Sequence, residues 1–121
     1  MTLKITVDDL RPDLVLIALD GAVDAASAGE VKAALEPFTT RQGVIVVLDM
    51  GSLSFIDSAG LGALIGGIRR TRESGGEVAV ACGRPTLTRL LHTTGFDRIV
   101  PVTETVDEAA DALLNPPDEF V

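Results

Sequence analysis

Polar and apolar positions alternate at the start of the chain: Leu3, Ile5 and Val7 against Lys4 and Thr6. That period of two predicts a strand with one covered face. Residues 10–13, Leu-Arg-Pro-Asp, supply a turn, and the apolar run 14–19 predicts a second strand paired with the first. Asp24 reads as an N-cap, followed by Ala28, Val31, Leu35 and Phe38 at helical spacing, with Pro37 ending or bending the last turn. Residues 44–49, Val-Ile-Val-Val-Leu-Asp, form an aliphatic run rich in β-branched residues, as in a strand covered on both faces. A helix is predicted over 58–74, stopped by Gly75-Gly76, with Arg69, Arg70 and Arg72 near the end where the dipole favours cations.

Residues 77–82 predict another strand. A helix with Leu87, Leu90 and Leu91 on its apolar face ends at Gly95, and a short strand follows over 98–102. Thr105 and Glu108 form a capping box for a last helix whose Val106, Ala109 and Leu113 turn inward. The order β-β-α-β-α-β-α-β-α predicts a single α/β domain over residues 1–115, with a mixed sheet of about five strands and about four helices. Residues 116–121 are expected to form a short tail.

The helix over 58–74 carries the unusual chemistry. Leu61, Leu64, Ile65 and Ile68 fall on one stripe, which must face the sheet. Opposite lie Ala59, Ala63 and Gly66, with Gly62 and Gly67 at the edges, where a solvated helix normally carries long polar side chains. Glycine costs a helix roughly 1 kcal/mol relative to alanine, so this bare face must be offset by close packing, either inside the domain or against a partner. Ser58 likewise has two readings: a cap for backbone N–H groups, or a phosphoacceptor at the positive end of the helix dipole.

Composition narrows the classes of function. The 121 residues are 46% hydrophobic but only 3% aromatic, without Trp or Tyr, so the core is aliphatic. Ten basic against eighteen acidic residues give a net charge of −8, which disfavours nucleic acid and anionic membrane as partners. No signal peptide and no membrane-length apolar run is visible, so a cytoplasmic domain is expected. The single cysteine, Cys82, permits no intramolecular disulfide and reads as a small hydrophobe.

The stretch 55–82, beginning Phe-Ile-Asp-Ser-Ala-Gly-Leu-Gly, closely resembles the STAS domain of bacterial anti-sigma-factor antagonists. That family carries an Asp-Ser-x-Gly-Leu-Gly loop ahead of a helix. Residues 19–35 and 89–102 are similar to its segments around the first helix and before the last. The resemblance implies a partner-switching regulator of transcription, with Ser58 as its phosphorylated residue. The kinase would be the anti-sigma factor itself, which brings its own ATP, and a serine phosphatase would reverse the mark. The unphosphorylated chain would bind the anti-sigma factor and free the sigma factor. Asp24, Asp57, Ser58, Ala59, Gly60, Gly62, Ala63, Gly66 and Gly67 would form the partner surface. No cofactor, metal or catalytic residue is implied. The sequence departs from the family at Ala22, often acidic, and at Ala59, often Ser or Thr.

Other readings fare worse. A constitutive STAS subunit of a transporter or sensory complex would not need the intact Asp-Ser pair. A response-regulator receiver phosphorylated at Asp49, with Asp8 and Asp9 as its acidic pair, needs a late lysine; Lys4 and Lys32 are too early. An enzyme is not expected: Ser58 lacks the Gly-x-Ser-x-Gly elbow, and His92, the only histidine, sits between apolar positions of a short helix. The oligomeric state stays open between a monomer and a weak dimer.

Overall fold

The computed structural model describes residues 2–115; the expected tail over 116–121 lies outside them. Five strands form one sheet in the order β1-β2-β3-β4-β5. β1 (Leu3–Arg11) and β2 (Leu14–Val23) are an antiparallel hairpin about the Pro12–Asp13 turn, while β3 (Ile45–Ile56), β4 (Glu77–Ala81) and β5 (Val102–Thr103) run parallel to β2. Parallel neighbours need crossovers. α1 (Ala28–Thr39), α2 (Ser58–Glu73) and α3 (Pro85–Thr93) supply them, and α4 (Val106–Leu114) follows β5. The mixed five-stranded sheet and four α-helices match the expected class.

The sheet buries its two faces unequally. Val46, Leu48 and Met50 of β3 point into the larger core, with Val31 and Leu35 of α1, Leu64 and Ile68 of α2, and Leu87 and Leu91 of α3. Val47 points the other way, with Ala79, Ala81 and Leu14, into a smaller cluster covered by Ala109 and the half-buried apolar residues of α4. Thr105 caps that helix as the capping box predicts, its hydroxyl accepting from Glu108 N–H at 3.1 Å.

Three elements depart from the sequence reading. β3 continues seven residues beyond Asp49, because Leu53 and Ile56 stay buried and pair with the end of β2. Two register shifts in that pairing break the alternation, which is why the period of two ends the expected strand at Asp49. α1 begins at Ala28 rather than behind Asp24, and it runs two residues past Pro37. Of residues 98–102 only Val102 joins the two-residue β5, since 96–98 wind into a 3₁₀ turn and Pro101 has no N–H to give a ladder.

Candidate functional site

The start of α2 is built by Asp57. Its backbone is extended, its N–H donates to Val23 O at 3.1 Å, and its carboxylate accepts Gly60 N–H at 2.9 Å. The capping role open to Ser58 is therefore filled one residue earlier. Ser58 takes the first helical position, exposed, and its hydroxyl has no hydrogen-bond partner among the described residues. The first N–H groups of a helix have no intrahelical acceptors, so a group on the Ser58 hydroxyl sits at the positive end of the dipole.

The Asp57–Val23 bond sets this junction beside the loop after β2. There Asp24 accepts from Ala26 N–H and Ser27 N–H, both at 3.0 Å, and so caps the turn 24–27 rather than α1. The Ser27 hydroxyl, buried, accepts from Asp24 N–H at 2.9 Å and donates to Ala22 O at 3.0 Å. The backbone hydrogen bond from Ser27 holds the Asp24 carboxyl below its usual range. A lowered native pKa contributes stability that is complete above the unfolded value, ~3.9, and fades as pH falls through the native one. NMR titration of Asp24 in the folded chain should therefore give a midpoint below that of the same residue in an unfolded peptide, with loop 24–27 intact at pH 5.

The glycines of α2 divide into two classes. A side chain at Gly60 would lie 2.6 Å from both Val23 O and Val23 Cγ1, and one at Gly67 would lie 2.4 Å from Leu35 Cδ1. Both are buried in the domain, so their expected place on the partner surface is corrected: α2 is covered by the sheet and by α1. Gly62 has open space around it and Ala59 is exposed. Ala63 and Gly66 are half-buried, the latter under the Arg70 guanidinium. The exposed part of the expected surface is thus Ser58, Ala59 and Gly62, edged by Ala63 and Gly66 and bordered by the loop of Asp24.

The STAS domain profile matches residues 7–109. The chain belongs to the STAS-domain family. The anti-sigma F factor antagonist of Paenibacillus polymyxa is 32% identical over 103 residues, covering 84% of this chain and 87% of that one. An anti-sigma factor antagonist from Mycobacterium paratuberculosis has the same fold, with a TM-score of 0.83 at 23% identity, over 94% of this chain and 96% of that one. The Bacillus cell-fate determinant SpoIIAA, solved in its phosphorylated form, aligns with a TM-score of 0.69 at 22% identity, over 91% and 99% of the two chains.

The remaining candidate residues of this STAS domain take structural parts. Ala22 is buried and gives the loop only its carbonyl. Asp49, expected at a strand end, lies within β3 and accepts Gly51 N–H at 3.0 Å, bracing the bulge. His92 is exposed and pairs with Asp97 at 2.7 Å, while Cys82 is buried. No helix among the described residues is long and apolar enough to cross a membrane, and no cluster of His, Cys, Asp or Glu among them is placed to hold a metal. The extension of β3 and α3 enclose an apolar groove of about 450 Å³, with Phe55 and Leu90 exposed on it and Arg84 and Arg89 at its rim. Leu87 and Leu90, both on the apolar face expected for α3, are its signal in the sequence.

Proposed function

We propose that this STAS domain is a cytoplasmic anti-sigma-factor antagonist switched by phosphorylation of Ser58. The observation that carries the reading is the Ser58 hydroxyl, exposed and unpartnered at the first position of α2 while Asp57 does the capping. The antagonist names of its relatives support the partner class. Unphosphorylated, the chain lays Ser58, Ala59 and Gly62 against an anti-sigma factor and so releases the sigma factor. The anti-sigma factor, a serine kinase with its own ATP, transfers the γ-phosphoryl group. The Ser58 Oγ–P bond forms, the bond to the β-phosphate oxygen breaks, and the hydroxyl proton leaves to a base of the partner.

Phosphate adds ~1.5–2 negative charges beside Asp57, on a chain already at −8. The helix N-terminus tolerates this charge, so the fold survives while the flat contact does not. Hydrolysis by a serine phosphatase restores binding. Capture from lysate of the native host tests the partner class. The wild-type chain should retain an anti-sigma serine kinase, identified by mass spectrometry. Gly62→Lys, placed in open space, should lose it with a melting temperature no lower than that of the wild type. Undiminished capture by Gly62→Lys would move the contact off α2.

A further inference from the structure

We propose that two copies of this chain pair through the outer edge of β1, antiparallel and centred on Thr6, to make one continuous ten-stranded sheet. β1 is nine residues long and, among the described residues, hydrogen-bonded on one side only, to β2. Edge strands of this length are usually blunted by proline, bulges, a covering element or charged side chains, and of these β1 offers along Leu3–Asp9 only charges, which come in both signs as Lys4, Asp8 and Asp9. Here Leu3–Asp9 has neither proline nor register shift, and Val7 remains 46% exposed. The Thr2 carbonyl accepts Ala22 N–H at 3.0 Å, so even-numbered residues direct their backbone groups inward to β2. Leu3, Ile5, Val7 and Asp9 therefore direct theirs outward, ready to bond a neighbouring strand.

Charge selects the occupant and the register. With the two-fold axis at Thr6, odd residues meet odd ones and both sheets keep the same face toward their helices. Ile5 then lies opposite Val7 of the second copy, covering the exposed valine, and Lys4 lies opposite Asp8, twice over. Opposite-charge and Thr–Thr cross-strand pairs are favourable ones. Asp9, opposite Leu3, is held back by Arg41 of its own copy at 3.8 Å. A shift of the axis to Ile5 or Val7 leaves Lys4 facing Thr6 or Leu10 and forfeits both ion pairs. Ser58 is not among the residues of the paired edge.

Thr6 on the axis falls in a non-hydrogen-bonded pair, where Cα atoms approach to ~4.5 Å, within reach of a disulfide. Under mild oxidation, Thr6→Cys should cross-link to a dimer, whereas Lys4→Cys and Asp8→Cys should each stay monomeric alone and cross-link when mixed. Sedimentation equilibrium of the untagged chain should show self-association, weakened at least tenfold by Lys4→Glu and restored in Lys4→Glu/Asp8→Lys. Monomeric Thr6→Cys, or cross-linking of Lys4→Cys alone as readily, overturns the pairing. So does an association that the charge reversal leaves unchanged.

Discussion

Ser58→Asp should lower the affinity for the anti-sigma factor by roughly ten- to a hundred-fold, while Ser58→Ala keeps wild-type affinity and accepts no phosphate. Placing a charge against a partner's unfavourable field costs several kcal/mol, and each factor of ten in affinity is about 1.4 kcal/mol. Aspartate brings less charge than phosphate, so the mimic should fall short of full release. Neither substitution should unfold the domain. Ser58 is exposed, its hydroxyl holds nothing among the described residues, and an acid in the first helical turn suits the dipole. Calorimetric titration with circular dichroism of each variant separates the two effects. Equal affinity of Ser58→Asp and wild type would remove the electrostatic switch.

Gly60→Ala should destabilise the domain by about 2–3 kcal/mol, the upper range for overpacking a filled site. Its methyl would stand 2.6 Å from a backbone oxygen of β2, 2.6 Å from Val23 Cγ1 and 3.1 Å from Ile56 Cγ1. Relief requires α2 to lift from the end of β2, which stretches the Asp57–Val23 bond and displaces Ser58. Gly62→Ala, two residues on, meets nothing within 4 Å and should stabilise α2 by up to ~1 kcal/mol through helix propensity. Urea denaturation of the pair reads the contrast directly. Equal midpoints would mean that both glycines sit in the same environment.

That contrast also shows what the sequence could and could not convey. Angular spacing placed Leu64 and Ile68 against the sheet correctly, since each residue's bearing about the helix axis follows from its number. It says nothing about what crosses the far side, so Gly67, packed under Leu35, looked as free as Gly62. The extension of β3 was hidden for a related reason. The register shifts between Asp49 and Phe55 break the period of two, and only pairing with β2 reveals the strand. The Asp57-Ser58 pair stood out as a motif, but which of the two caps α2 depended on the backbone angles of Asp57. The capping box at Thr105 and the aliphatic strands were legible because both are local patterns.

The central claim is most directly tested by mapping phosphopeptides of the chain recovered from its own host through growth and stress. The account predicts phosphate on Ser58, reversible with conditions and absent from Ser58→Ala. A Ser58 that stays unmodified under every condition would contradict it and leave a constitutive STAS interaction subunit. Phosphate on Asp49 instead, found under conditions that preserve acyl phosphates, would contradict it outright.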